Sequence, residues 1–141
     1  MTDLNPLARF PVSGDQIARV MQVFYTRIRR HPELGPVFNA HIGETDAEWA
    51  AHIDKIESFW RNAILREKGY DGNPMRVHVG SPDIRLEHFA PWLEMFEEVL
   101  RQELPEDLAN TWIALAQRIG RAFKFQMEDT RRPASAPPKL F

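Results

Sequence analysis

The 141-residue chain contains no cysteine. That excludes disulfides, zinc–thiolate centres and iron–sulfur clusters, and it is compatible with a reducing compartment. Charge of either sign is not in excess. Eighteen Lys and Arg stand against 20 Asp and Glu, for a net charge of -2. Neither a footprint for nucleic acid nor a basic patch for an anionic membrane follows from such a balance. No apolar run approaches the ~18 residues of a membrane span. The opening MTDLNPLARF lacks the basic-then-apolar order of a signal peptide. A soluble, cytoplasmic protein is expected, without nucleic-acid partners or membrane insertion. Phosphate-cradling glycine loops are missing as well: GYDGNP has no Walker lysine and follows no strand. There is no GxSxG or other nucleophile motif, no internal repeat and no strand-like alternation.

What is present is apolar and aromatic. Apolar residues make up 43% of the chain, with four Trp and nine Phe, enough for one domain with a sizeable core. Ser13 and Gln16 make a capping-box pattern ahead of Ile17, Val20, Met21, Phe24 and Ile28, a stripe at helical spacing. Tyr25 lies beside that stripe, so its ring can pack while its hydroxyl seeks a polar partner. Pro32, Gly35 and Pro36 end this helix near Arg30 and open a corner that holds Phe38. Thr45 and Glu48 form a second capping box, with a helix expected to about Arg66. Its buried face carries Trp49, His52, Ile53, Ile56, Phe59, Trp60 and Ala63.

Gly69, Gly72 and Pro74 then make a continuous helix unlikely to persist, leaving at most a turn around Met75 to Val79. A third long helix starts near Leu86 with Phe89, Trp92, Leu93, Phe96, Val99 and Leu100. A fourth opens at Pro105, with Glu106 and Asp107 favourable near its positive end. It presents Leu108, Trp112, Leu115, Ile119, Ala122 and Phe123 on one face. The class is all-α: four long helices around one core over residues 1–129, then a Pro-rich tail over 130–141 expected to be disordered.

The chemistry concentrates between His52 and His78. These histidines stand on two different elements joined by the flexible GYDG. His52 interrupts an apolar helical face, and His78 sits in NPMRVHVGSP, bounded by Pro74 and Pro82. Two imidazoles across an aromatic-lined gap suggest a flat cofactor between them. A neutral imidazole is also a metal ligand. Plainer readings stand beside this one. A histidine in a loop is ordinarily a partly exposed side chain, and a buried one is often satisfied by a hydrogen bond. On their own Trp60 and Trp92 read as core ahead of any functional role, and Tyr25 alone says little. His31, His41 and His88, at helix ends or on polar faces, receive no role. A zinc site built from His52 and His78 alone is weak, since such sites want three or four protein ligands.

Taken together, QVFYTRIRRHPELGPVFN, TDAEWAAHIDKIESFW, GYDGNPMRVH and HFAPWLEMFEE resemble the group III truncated haemoglobins, in order and spacing, across roughly residues 16 to 125. That resemblance implies a two-over-two helical sandwich around haem b. It makes His78 the counterpart of the proximal iron ligand, with His52, Tyr25 and Trp92 forming the distal pocket. Phe38 resembles the corner phenylalanine that stacks on haem. Phe24, Ile56, Phe59, Trp60 and Met75 resemble wall residues, and Lys55 and Arg76 partners for the propionates. The implied ligands are dioxygen, nitric oxide and other small diatomic gases. The implied work is reversible gas binding with a redox role, nitric oxide dioxygenation or peroxide reduction, served by an unidentified reductase. Two alternatives belong to other classes: a gas sensor reporting to a separate partner, and a cofactor-free helical interaction protein.

Overall fold

The computed structural model describes residues 8–70, 72–74, 77–78 and 84–131. Met75, Arg76 and the tail from residue 132 lie outside that set. Helix α1 spans Gly14–Arg30 and begins at the anticipated capping box, Ser13 Oγ accepting from Gln16 N while Gln16 Oε1 accepts from Ser13 N. Its apolar stripe is buried throughout, and Tyr25 goes in with it at 3% exposure. Tyr25 is thus a core residue and not a rim residue.

The corner after α1 is more ordered than the prolines suggest. A second helix, α2, runs Leu34–Ile42. It lacks a Ser, Thr, Asp or Asn at its start, the usual signal for one. Instead His31 Nδ1 accepts from Glu33 N and Leu34 N at 3.1 and 3.0 Å, serving the orphan amides that a cap would serve. Pro36 falls within the first turn, where a missing N–H costs nothing. Gly35 is required here, because a Cβ would lie 2.8 Å from the carbonyl oxygen of Arg29. That close approach sets α2, and with it Phe38, against α1.

Helix α3, Asp46–Trp60, opens at the Thr45–Glu48 capping box and continues as a wider π-helical turn, Arg61–Leu65. The helix therefore reaches its expected end near Arg66, but its last turn is overwide. The carbonyls of Ala63 and Ile64 are taken by Arg9 Nε and N from the N-terminal segment. Arg66, at φ 63°, then breaks the helix in a left-handed conformation. Helix α4, Phe89–Glu103, follows a 3-10 turn, Leu86–His88, and helix α5 runs Glu106–Thr130 directly after Pro105. Ala122, assigned to the inner face of α5, is exposed.

Among the described residues there are only helices and connectors. Helix α1 packs on α2, α3 and α4, and α4 packs on α5, giving two helix pairs laid against each other. Phe96 of α4 holds the pairs together. Its ring stacks on Trp60 of α3 at 5.6 Å and on Trp92 at 5.0 Å. It meets Phe24 of α1 and Trp112 of α5 edge-on, at 4.9 and 5.7 Å. Phe96 is 1% exposed. Truncating it to Ala leaves four aromatic neighbours facing a void, which typically costs about 3–5 kcal/mol. Urea unfolding of the Phe96→Ala protein is expected to show a loss of that size. A loss below ~1 kcal/mol would mean that the pairs are held elsewhere.

Candidate functional site

The apolar face of α3 is only half covered by protein. Trp49 and Trp60 are buried, but His52, Ile53, Ile56 and Phe59 between them remain partly accessible. His52, Ile56 and Phe59, together with the edge of buried Trp60, border a cavity of about 220 Å³. A single water needs only ~10–15 Å³, so the space suits a many-atom ligand. Tyr25 closes it from α1, Phe38 and His41 from α2, Trp92 and Phe89 from α4, and Ile119 and Phe123 from α5. Pro74, Val77 and His78 form the wall facing α3.

Each polar group in this wall is held differently. His78 stands on one turn of helix, Val77 N donating to Asn73 O at 3.1 Å. Its Nδ1 lies 2.7 Å from the carbonyl oxygen of Pro74. A carbonyl only accepts, so Nδ1 carries the hydrogen and Nε2 keeps its lone pair when the ring is neutral. The ring is flanked by Phe123 at 4.8 Å and Phe89 at 6.0 Å. Burial pushes its pKa down, the Pro74 bond works against that shift, and His41 adds to it. A neutral imidazole, tethered at one nitrogen and with no hydrogen bond at the other among the described residues, is the donor form that metals bind.

His52 is held by rings rather than by hydrogen bonds. Tyr25 and Phe38 meet it edge-on at 5.5 and 6.2 Å, and its Nε2 is buried with no partner among the described residues. Burial, then His41, Lys55 and His78, push its pKa down to about 4. Tyr25 makes no hydrogen bond among the described residues, and burial pushes its pKa well up, so its hydroxyl stays a donor. Buried polar atoms without partners are uncommon and call for an explanation, an absent ligand being one. His41, Lys55 and His88 also border the cavity, and the Lys55 ammonium there suits a ligand with acidic substituents.

Of the residues singled out in the sequence, Tyr25, Phe38, His52, Lys55, Ile56, Phe59, Trp60, His78 and Trp92 all border this one cavity. Phe24 does not. One position along the helix from Tyr25, it is turned behind the wall and contacts Tyr25, Trp92 and Phe96. Met75 and Arg76 lie outside the described residues. His41, His88, Phe89 and Phe123 border the cavity without having been assigned to it. Phe89 and Phe123 were visible as helical apolar positions, but their site role depends on where the helices cross.

The residues fit a flat, largely apolar group that brings its own metal. Among the described residues no three His, Cys, Asp or Glu side chains cluster to hold a bare ion. One tethered imidazole can supply an axial bond, and aromatic walls can cover two faces.

The low pKa of His52 has a consequence for stability. A group of folded pKa about 4 and unfolded pKa ~6.5 takes up its proton in the unfolded chain first as pH falls. Stability is therefore lost as pH drops from ~6.5 towards ~4, by about 2–3 kcal/mol at pH 4.5. His52→Leu removes that loss. Denaturant unfolding of the two apoproteins at pH 7 and pH 4.5 should show the wild type losing more by this amount. Equal losses would mean that His52 reaches solvent when charged.

No protein-family model matches the chain. It is 37% identical over 113 residues to the Group 3 truncated hemoglobin ctb of Campylobacter jejuni, covering 80% of this chain and 89% of that protein. Its fold matches the crystal structure of group III truncated hemoglobin from Campylobacter jejuni with a TM-score of 0.80 and 35% sequence identity. That match covers 86% of this chain and 95% of the other. Such identity over most of both chains, joined to the same helical arrangement, means that the chain belongs to the group III truncated haemoglobins.

Proposed function

We propose that the cavity holds haem b, that Nε2 of His78 would bind its iron, and that the protein captures diatomic gases for redox chemistry. The observation that carries this reading is the 2.7 Å contact of His78 Nδ1 with Pro74 O, which leaves a lone pair on the other ring nitrogen of a cavity-lining imidazole. Haem supplies the iron that takes a gas reversibly and, given an electron donor, the chemistry that turns nitric oxide and dioxygen into nitrate or reduces peroxide. Everything else is done by the chain. Phe38, Ile56, Phe59 and Trp60 exclude water from the pocket. Lys55 takes a propionate at the rim, and Arg76 is proposed as its counterpart.

Tyr25 and Trp92 then act as donors to a partly anionic ligand such as dioxygen. Water does not compete inside the aromatic wall, so each bond is worth about 1–3 kcal/mol. That corresponds to roughly five- to 150-fold in affinity. Tight holding serves capture better than delivery, which favours detoxification, nitric oxide dioxygenation or peroxide reduction, with a separate reductase supplying electrons. His52, neutral and unanchored, is free to turn towards or away from the ligand and so to control its access.

The haem assignment is tested on purified protein by absorption spectroscopy. A strong Soret band, retained after gel filtration, is expected. A colourless protein that rejects added hemin would sink the reading and favour a cofactor-free interaction protein. His78→Gly should lose stable haem or leave a site restored by millimolar imidazole. Unchanged haem content and axial spectrum would move the ligand elsewhere.

Tyr25→Phe keeps the ring and its packing and removes one donor. The variant should release dioxygen roughly five- to 150-fold faster and carbon monoxide, less charged when bound, at nearly the wild-type rate. A stopped-flow comparison in which both gases respond equally would reduce Tyr25 to a wall residue.

A further inference from the structure

The tether from Pro74 fixes how the His78 ring is turned, but it does not fix where the residue's backbone sits. That segment is short, follows two glycines and carries Val77 at its exposed surface. Something else has to hold it against the helices. At the far end of α5, Arg131 does so. One arm of its guanidinium, Nη2, donates to the carbonyl oxygen of His78 at 3.3 Å. The other, Nη1, donates to the carbonyl oxygen of Ile84 at 2.8 Å, just before α4 begins. A single planar fork thus joins the residue carrying the candidate ligand to the residue leading into the helix that carries Phe89 and Trp92. Arg131 is itself anchored, its backbone N donating to the carbonyl of Met127, a residue with 0% exposure. A cation at this end of a helix is also favoured by the helix dipole.

From these contacts we propose that Arg131 is a positioning residue for His78, and the inference rests on the haem reading above. Helix α5 reaches His78 twice, through the Phe123 ring at 4.8 Å and through the Arg131 fork. The three restraints divide the work. Pro74 O sets the rotation of the imidazole, Phe123 limits its tilt, and Arg131 fixes the height of the backbone relative to the cavity. The guanidinium is suited to this because its donors lie in one rigid plane and can hold two carbonyls together. A lysine ammonium is a point charge on a flexible stem and has no such fork. Both bonds are exposed to solvent. Water can replace them when the side chain is removed, so their loss should cost little global stability. What is lost is the placement of the ligand.

The test uses full-length protein reconstituted with hemin, as wild type, Arg131→Ala and Arg131→Lys. Three properties are read. They are the iron–histidine stretching band of the ferrous form by resonance Raman, the rate of haem transfer to excess apomyoglobin, and the melting temperature of the apoprotein. Partners that orient a metal-bound histidine directly are typically worth 10–100-fold in metal affinity. Arg131 acts through the backbone, one step further out, so about three- to tenfold faster haem loss is expected for Arg131→Ala. The iron–histidine band should shift or broaden, while the apoprotein melts close to wild type. Arg131→Lys should fall between the two.

An axial band and haem-loss rate unchanged in Arg131→Ala would overturn the proposal. So would a variant whose apoprotein melts lower while its axial band stays put, since that is a structural role. A lysine variant identical to wild type would overturn the fork and leave charge alone. If wild-type protein itself shows no histidine-ligated haem, the haem reading falls first and this inference falls with it.

Discussion

The stacking of Phe96 between Trp60 and Trp92 is the contact on which the remainder of the molecule depends. Both tryptophans face two ways. One side of each packs on Phe96, and each also borders the cavity. The walls of the site are therefore parts of the core, held by the same aromatic contacts that bind the two helix pairs. Offset and edge-on ring pairs add ~0.5–1.5 kcal/mol each beyond the area they bury. Because close-packed interiors transmit strain, a shift at Phe24 or Trp112 on the far side of Phe96 would reach the pocket. This explains how Phe24, which does not touch the cavity, is still tied to its shape through Tyr25 and Trp92.

A rigid aromatic shell also makes polar groups inside it expensive. His52 Nε2 is buried without a partner among the described residues, and the Tyr25 hydroxyl lies in a residue only 3% exposed. An unsatisfied buried polar atom typically costs about 1–3 kcal/mol, and a fold under no other demand would replace it with a methyl group. Local rules tend to be broken at sites of function. His52 makes such a break at the wall of the cavity, beside Tyr25, which makes no hydrogen bond among the described residues. Trp112 Nε1 is a useful contrast. It too is buried without a partner among the described residues, but it borders no part of this cavity and meets Phe96 edge-on. For Trp112 the indole contributes packing, and its orphan N–H is a cost of that packing.

Much of this was legible in the chain because local rules and the global fold agree. Ser13 and Thr45 announce two helices through capping boxes, and the stripe from Ile17 to Ile28 is buried as its spacing requires. The site was legible for a different reason. His52 stands out because it interrupts a periodic apolar face, whereas Tyr25 and Trp92 read singly as wall or core and are singled out by the family resemblance. What was hidden depends on interactions that no short window contains. Helix α2 is capped by a histidine ring instead of a hydroxyl or carboxylate, so Pro32 and Pro36 read as breakers. The π-helical turn at Arg61–Leu65 has carbonyls that bond to Arg9, more than fifty positions earlier. His41 and His88 sit on short elements whose direction is fixed only by where α2 and α4 meet the cavity.

The two histidines separate most clearly at their unengaged nitrogens. An imidazole can bind a metal strongly only if the other nitrogen's hydrogen has somewhere to go, because that bond selects the tautomer and raises the basicity of the free nitrogen. His78 has such a partner in Pro74 O, four residues earlier on its own turn of helix. The proline suits that place: its ring fixes the start of the turn, and its carbonyl remains available as an acceptor. For His52 the comparable support is absent among the described hydrogen bonds, and its neighbours Tyr25 and Phe38 restrain it only by ring contact. Burial above all keeps it neutral, so both rings have a lone pair to offer, but only one is held in place to offer it. On this ground we propose His78, and not His52, as the iron ligand, with His52 a cavity-lining group held only by ring contacts. The sequence pattern alone, with two histidines on either side of a glycine-rich connector, leaves that choice open. The hydrogen bond at Nδ1 of His78 is what favours that residue in the proposal.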